Sequence, residues 1–466
     1  MLFHTWLFVL FFVIVYPTYL VLKGTRFGLV FLLAASYFFY ACFNPLYLLL
    51  IFYSTVLDYT VVARMAKCRK ASPGGSRRRK IWLSISIVNN IWLMGFFKYG
   101  GFVTDNLNFL LSSLGASYII PAPGILLPVG ISFYTLQSMS YVIDYYRGNI
   151  ERENSFIRYA AFISFFPRLV AGPIERARNL LAQLQNRPAF STEDISDGLS
   201  LFIVGLFKKV ALADYMALYV DKVYAAPEQF QSPALLLATF LFCWQIYFDF
   251  SGYTDMARGV ARMMGLRLML NFNNPYLAKD LGDFWSRWHI SLSSWFKDYV
   301  YIPLGGNRKG TLNTYRNMFL TMVLSGLWHG AGWTFIIWGA AHAFGRFLTR
   351  ELERTSFYKE KVPKLIKQLL VFLFVTFTWI FFRAENITDA WAIITRIFTS
   401  GLANPHCPLL ALAFIFAVWS YQFVYESRVR WVLELRAVRI VILVLMILYL
   451  FIFARPSERA FIYIQF

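Results

Sequence analysis

The decisive stretch of this sequence runs from Met318 to Phe347 and reads MFLTMVLSGLWHGAGWTFIIWGAAHAFGRF. Its two halves are apolar, and basic residues lie at or near both borders, with Arg316 before it and Arg350 after it. Lys and Arg collect on the cytoplasmic side of membrane-spanning segments, and glycine allows helices to pack closely. We therefore predict a broken hairpin that enters a membrane and returns. A polar centre would lie at membrane depth, formed by Gly326, His329, Gly330 and Gly332.

The rest of the chain has the composition of a membrane protein. Of its 466 residues 58% are hydrophobic and only 15% charged, with a mean hydropathy of +0.52, which a soluble domain of this size could not bury. Apolar runs such as Leu7–Leu22 and Phe27–Tyr40 alternate with short basic breaks. The composition predicts an all-α polytopic protein, with residues 1–466 as one integral membrane domain and no cleaved leader. The four cysteines have no spacing typical of disulfides or metal ligands.

The charge distribution predicts the topology. Lys and Arg number 45 against 25 acidic residues, a formal net charge of +20, and in a soluble protein such a balance would suggest nucleic acid. Here the cations lie mainly in the breaks between apolar runs, which is the pattern of cytoplasmic loops, so we expect no nucleic-acid partner. The segment Arg64–Lys80 carries eight cations and no acid. Three apolar runs precede it, which places the N-terminus outside.

The later apolar runs extend this topology to about 11 transmembrane helices, together with re-entrant or interfacial helices. The short run Tyr159–Val170 suits a re-entrant segment, and the weakly charged region Tyr99–Ala122 is expected outside. No internal repeat is visible, which disfavours an inverted-repeat transporter. The further predicted spans are Ile81–Phe97, Leu126–Tyr146, Leu199–Tyr219, Leu235–Phe250, Leu365–Phe382, Leu409–Tyr425 and Ile440–Phe453.

Histidines are the main candidates for chemistry, and the chain has five. His4 near one terminus and His406 in a loop are interpreted as structural. His329 lies within the apolar hairpin, where an ionisable side chain is costly and is by default a functional hypothesis. The alternative is a packing histidine that is hydrogen-bonded to a backbone carbonyl.

A second histidine, His289, lies in the mixed aromatic and polar run Asp283–Tyr299. That mixture predicts an interfacial helix with tryptophan anchors at the membrane boundary, and an anchor without chemistry is the alternative. The following turn, GGNRKG at residues 305–310, offers backbone donors and two cations to a phosphate. It lacks the spacing of a nucleotide-binding P-loop, so a basic cytoplasmic turn is the alternative.

Two long runs resemble the membrane-bound O-acyltransferase family, in its bacterial branch typified by alginate O-acetylation membrane proteins. They are FWSRWHISLSSWFKDYVYIPLGGNRKG from Phe284 and LSGLWHGAGWTFIIWGAAHAFGRF from Leu324. The resemblance is densest in a motif-rich core at residues 284–346 and covers most of the chain. Weaker similar runs are PVGISFYTLQSMSYVIDYYRG, FFPRLVAGPI, YFDFSGYTDMARG, WIFFRA and the terminal FIYIQF.

The resemblance implies a multi-helix fold with a thinned, funnelled centre, an acyl-CoA donor on the cytoplasmic side and transfer toward an acceptor outside. His329 matches the family's catalytic histidine and His289 the second histidine of this branch, while His342 falls in a recurrent motif without an assigned role. It also implies an exported partner protein that completes transfer to the polymer. Histidine is a suitable base for moving an acetyl group from a thioester to a hydroxyl.

We expect a donor site near the basic turn. The phosphates of acetyl-CoA would lie at Asn307, Arg308 and Lys309, and the thioester would reach past Trp288 and His289 toward His329. Acetyl-CoA is then a substrate, and no bound cofactor or metal is expected.

The function predicted from these observations is O-acetylation of an exported, alginate-like polysaccharide from the bacterial inner membrane, in contact with membrane lipid. The alternative acceptors are peptidoglycan, cellulose, or teichoic acid that receives D-alanine. A different class is an ion- or proton-coupled transporter, which would use intramembrane histidines as a proton path.

Overall fold

The computed structural model describes residues 1–68, 74–116, 118–122, 124, 127–186, 189, 191–453 and 459–462. The predictions for Leu126 and for the last four residues of FIYIQF lie outside the described residues, as does part of the basic loop Arg64–Lys80. The chain divides into two compact units. The first comprises Met1–Leu199 with Ala257–Met269, and the second Ser200–Met256 with Leu270–Phe466.

The regular elements of the described residues are all helices, which confirms the predicted fold class. The first nine are α1 (Trp6–Leu22), α2 (Phe27–Ala41), α3 (Tyr47–Lys67), α4 (Gly75–Met94), α5 (Gly100–Ser113), α6 (Ile131–Arg147), α7 (Phe156–Ser164), α8 (Phe166–Leu169) and α9 (Ala182–Asn186). They are followed by α10 (Thr192–Phe207), α11 (Asp214–Ala225), α12 (Ser232–Met263), α13 (Leu281–Arg287), α14 (Ile290–Phe296), α15 (Gly310–His329), α16 (Trp333–Leu352), α17 (Lys364–Arg383), α18 (Ile387–Thr399), α19 (Leu409–Tyr425), α20 (Trp431–Glu434) and α21 (Arg436–Phe453).

Five stretches of helix among the described residues are long and apolar enough to cross a membrane: Tyr47–Lys67, Gly75–Ser113, Ser232–Met263, Lys364–Arg383 and Arg436–Phe453. Three shorter apolar helices, α1, α2 and α19, have 15 to 17 residues. Their outward side chains include many exposed Leu, Ile, Val and Phe residues, as expected of surfaces that face lipid. The chain is therefore a membrane protein, and the number of eleven spans stays a prediction.

The first unit is held together in part by a buried carboxylate. Asp58 of α3 is inaccessible to solvent and accepts hydrogen bonds from Ser86 Oγ at 2.5 Å, Asn90 Nδ2 at 2.9 Å and the Ser138 hydroxyl. These donors come from α4 and α6. Because a buried carboxylate is costly without such partners, the three bonds fix how the helices meet.

Two predicted segments of the first unit differ from the structure. The span Ile81–Phe97 is part of a longer continuous helix from Gly75 to Ser113, which passes through a π-helical turn at Gly95–Tyr99. More than half of the region that was expected as an outside segment, Tyr99–Ala122, is therefore helical. The short apolar run Tyr159–Val170 forms α7 and α8 and is buried, which agrees with an irregular, non-spanning segment.

In the second unit, α15 and α16 form the predicted broken hairpin, with the break at Gly330–Gly332. Its glycines explain the close packing of the two helices. A Cβ atom on Gly326 would lie 2.2 Å from the carbonyl oxygen of Phe335, and one on Gly339 would lie 2.5 Å from that of Met322. Only glycine permits this approach, since any side chain would overlap the opposite backbone.

The prediction of one continuous interfacial helix at Asp283–Tyr299 is wrong. The segment is two short helices, α13 and α14, separated by Trp288 and His289. Trp288 and Trp295 are also buried, at 0% and 6% exposure, so they pack in the protein core and do not serve as membrane anchors. The break follows from the backbone of His289, which has a φ of 42° and cannot continue a right-handed helix.

Candidate active site

Three histidines lie close together in the second unit, and each is positioned by a different element. His329 is the last residue of α15, His289 directly precedes α14, and His342 lies in the middle of α16. All three are buried, with exposures of 2%, 0% and 0%. The sequence predictions for His329 and His289 thus converge on one region of the fold.

His329 lies in an aromatic enclosure at the turn of the hairpin. The ring centroids of Trp328, Trp338 and Phe382 are 5.0, 5.2 and 5.3 Å from that of its imidazole, each in an edge-to-face arrangement. The centroid of the His289 ring is 6.4 Å away. The two imidazoles are therefore neighbours within one aromatic enclosure.

His289 is packed against Phe250 of α12, with ring centroids 4.5 Å apart, and against Trp328 at 6.0 Å. Burial lowers the pKa of His289 to about 3, because the imidazolium form would lack solvating water. The ring is therefore neutral near physiological pH and offers one donor and one acceptor nitrogen.

The ring of Trp338 separates His342 from His329. Trp338 contacts both His329 and His342, whose ring centroid is 4.8 Å from that of Trp338. The Nε2 atom of His342 is 3.0 Å from the hydroxyl oxygen of Thr378 in α17. This histidine has a polar partner on a neighbouring helix, which suits a supporting position behind Trp338.

The backbone around His289 is fixed by a separate segment, residues 271–273. The amide nitrogen of Ile290 donates to the carbonyl oxygen of Asn271 at 2.9 Å, and that of Asn273 donates to the carbonyl oxygen of Arg287, also at 2.9 Å. Asp280 caps α13 by accepting from the amides of Gly282 and Asp283 at 2.7 and 3.0 Å. Hydrogen bonds therefore fix the backbone on both sides of the turn at His289.

The residues that were expected to bind the donor lie in two different parts of the structure. Asn307, Arg308 and Lys309 lie on one exposed turn, where Gly305 and Gly306 have φ values of 113° and 56° and Asn317 Nδ2 donates to the Gly306 carbonyl at 3.0 Å. Trp288 is instead fully buried. Its ring packs among Phe272, Trp379 and Phe284, at 5.0, 5.1 and 5.6 Å.

The length of α15 sets the distance between the basic turn and His329. The helix has 20 residues, and at 1.5 Å per residue its ends are about 30 Å apart, similar to the hydrocarbon core of a bilayer. Lys309 immediately precedes this helix and His329 ends it. The two candidate sites are therefore at opposite ends of one helix.

Sequence reasoning did not single out Asn271, Phe250 or Phe382, which the structure places against the histidines or their turn. Phe250 and Phe382 lie in quoted motifs, but aromatic residues are so frequent here that neither was distinguishable. A signal for Asn271 was available, since it is a polar residue within the apolar run LMLNF. Among the described residues, no three His, Cys, Asp or Glu side chains gather as metal ligands would.

Comparisons with known proteins identify the family of this chain. The profile of the membrane-bound O-acyltransferase family matches residues 150–388, which contain all three buried histidines. The chain is 42% identical over 380 residues to a probable alginate O-acetylase, AlgI, of Pseudomonas aeruginosa, covering 82% of this chain and 71% of that protein. It is 37% identical over 399 residues to a peptidoglycan O-acetyltransferase of Helicobacter pylori, covering 80% of this chain and 74% of that protein.

A more distant relative is a teichoic acid D-alanyltransferase of Bacillus subtilis. It is 30% identical over 267 residues, which cover 53% of this chain and 67% of that protein.

Proposed function

Because this chain belongs to the membrane-bound O-acyltransferase family, we propose that it moves acetyl groups from cytoplasmic acetyl-CoA toward an exported, alginate-like polysaccharide. O-acyltransferase activity follows from the family, and the similarity to probable alginate O-acetylases supports acetyl as the acyl group and a polysaccharide as the acceptor. The observation that carries the proposal is the pair His289 and His329, two motif histidines that lie 6.4 Å apart inside a buried aromatic enclosure.

In the proposed chemistry His329 is the general base. Its imidazole takes the proton of the acceptor hydroxyl while the oxygen attacks the thioester carbonyl. The tetrahedral intermediate collapses to the ester, and the departing coenzyme A thiolate receives the proton from the imidazolium. His289, which is neutral, is proposed to orient the reacting groups by hydrogen bonding.

The donor is proposed to bind from the cytoplasmic side. Arg308 and Lys309 are exposed beside Asn307 and offer charge-assisted hydrogen bonds to phosphates, which cannot enter hydrocarbon. The acyl end is proposed to extend from this turn toward the histidine pair, while the fully buried Trp288, expected on that path, packs in the aromatic core.

The orientation is proposed from the same hairpin. The outer ends of α15 and α16 are basic, with Lys309 beside one and Arg350 in the last turn of the other. Such ends favour the cytoplasm, so we propose that the turn with His329 lies toward the outside. By the same rule the cationic segment Arg64–Lys80 supports an N-terminus outside. An inner-membrane enzyme in this orientation would receive the donor on one side and deliver the acyl group on the other, to an exported partner protein that completes transfer to the polymer.

Peptidoglycan is the second candidate acceptor, since the peptidoglycan O-acetyltransferase covers nearly as much of this chain. The two candidate acceptors are distinguished by deleting the gene and measuring alkali-labile acetyl groups in the exported polysaccharide and in purified peptidoglycan. Loss from the polysaccharide alone supports the proposal, and loss from peptidoglycan alone moves the acceptor there. Unchanged acetyl in both fractions would overturn both.

A further inference from the structure

The backbone of His289 adopts a conformation that its residue type does not favour. Its φ of 42° and ψ of 54° are left-handed, a region that few residues other than glycine adopt, although Asn, Asp and His do so more often than the rest. His406 has a similar φ of 50°, but it is exposed in a loop. His289 is completely buried in a packed site, so its conformation must be imposed by its surroundings.

His289 is also the N-cap residue of α14, and its side chain does not cap the helix. The first amides of a helix have no partner within it, and the N-cap side chain commonly accepts one of them. Here Asn271 does this from another segment. Its carbonyl oxygen accepts from the Ile290 amide at 2.9 Å, and its Oδ1 accepts from the Ser291 amide at 3.2 Å and the Ser291 hydroxyl at 3.0 Å.

We propose that Asn271 is the positioning residue of His289: it caps α14 from another segment and so holds the left-handed turn in which the imidazole lies beside His329. Asn271 is 1% exposed and Ser291 is fully buried, so removing the side chain leaves the Ser291 amide and hydroxyl without their Oδ1 acceptor inside the protein, while the backbone bond from Ile290 remains. Without the Oδ1 hydrogen bonds the Ser291 amide would need another acceptor, and the left-handed turn at His289 would no longer be held in place. The imidazole would then move relative to His329.

This inference rests on the proposed role of His289, and its test separates the two. Acetyl transfer from radiolabelled acetyl-CoA is measured in inverted membrane vesicles that contain the full chain. The variants are Asn271→Ala, Asn271→Asp, His289→Ala and the double variant His289→Ala with Asn271→Ala. Asn273→Ala is the matched control, because the Asn273 side chain is exposed two positions away and makes none of these bonds.

Asn271→Ala should lower kcat about tenfold or more with little change in the KM for acetyl-CoA, since misplacement of a catalytic group mainly affects the chemical step. Asn271→Asp keeps the acceptor oxygen at a helix N-terminus and should recover most of the rate. Asn273→Ala should resemble the wild type. If Asn271 acts through His289, adding Asn271→Ala to His289→Ala should lower the residual rate by no more than about twofold.

A near-normal rate for Asn271→Ala together with an inactive His289→Ala would overturn the positioning role and leave the proposed function intact. Losses that multiply in the double variant would also overturn it, since they show an effect independent of His289. An active His289→Ala would instead remove the proposed role of His289 and this inference with it. If Asn271→Ala does not accumulate in the membrane, Ser291→Ala, which removes only the hydroxyl contact, takes its place with a smaller expected loss of kcat.

Discussion

The imidazole rings of His289 and His329 lie with their centroids 6.4 Å apart, although His289 precedes α14 and His329 ends α15. One ring is held by the left-handed turn before α14 and the other by the last residue of α15. The aromatic side chains of Trp328 and Phe250 fill the space around them. This pairing is the structural basis for the predictions below.

The close contact of α15 and α16 depends on Gly326. In Gly326→Ala the new Cβ would meet the Phe335 carbonyl oxygen at 2.2 Å, and a backbone atom cannot yield as a flexible side chain does. We expect a loss of about 1–3 kcal/mol of stability or failure to accumulate, measured by thermal unfolding of the detergent-purified protein. Gly332→Ala is the control, since its Cβ would meet nothing closer than 3.6 Å. Equal stability of the two variants would contradict this packing.

The basic turn after α14 should contribute to donor affinity. Replacing Arg308 and Lys309 together by Ala removes two exposed cations and should weaken binding of acetyl-CoA, most strongly at low ionic strength, where phosphates are least screened. The measurement is an acetyl-CoA dissociation constant at two salt concentrations. Arg428→Ala with Arg430→Ala removes the same charge from another exposed turn and serves as the control. An unchanged constant would leave the turn as a topological anchor only.

The orientation in the membrane is tested by a single cysteine. Ser76 is exposed at the start of α4, within the cationic segment that we expect in the cytoplasm. Ser76→Cys, in a background with Cys42, Cys68 and Cys407 replaced by Ser and only the buried Cys243 kept, should not react with an impermeant thiol reagent in intact cells and should react after permeabilisation. A second protein that keeps only Cys407 and the buried Cys243 is the positive control, because Cys407 is exposed and the predicted span Leu365–Phe382 separates it from the basic end at Arg350. Labelling of Ser76→Cys in intact cells would reverse the topology.

Much of the fold was predictable because membrane spans and hairpins leave strong periodic and charge signals. The break at Gly330–Gly332 follows directly from the glycines and flanking cations, and the ends of α2, α17 and α19 agree with the apolar runs within a few residues. The continuous helix Gly75–Ser113 was not predicted, because Gly95, Gly100 and Gly101 indicate a break that a π-helical turn avoids.

The site was predictable only in part. Motif positions identified His289 and His329, but the run around His289 was interpreted as one interfacial helix, since aromatic residues serve equally as membrane anchors and as core. Its break at Trp288 and His289 depends on hydrogen bonds from residues 271–273, which are distant in sequence. The role of Asn271 is likewise a tertiary contact that no local pattern encodes.

The most direct test of the account is the rate of acetyl transfer by His329→Ala, measured with radiolabelled acetyl-CoA on protein that inserts and purifies like the wild type. His406→Ala, which changes a histidine in an exposed loop, is the matched control. If His329 is the general base, its loss should lower the rate by about two orders of magnitude or more, the usual contribution of a positioned base, while the control stays unchanged. A well-folded His329→Ala protein that transfers acetyl groups at close to the wild-type rate would contradict the account.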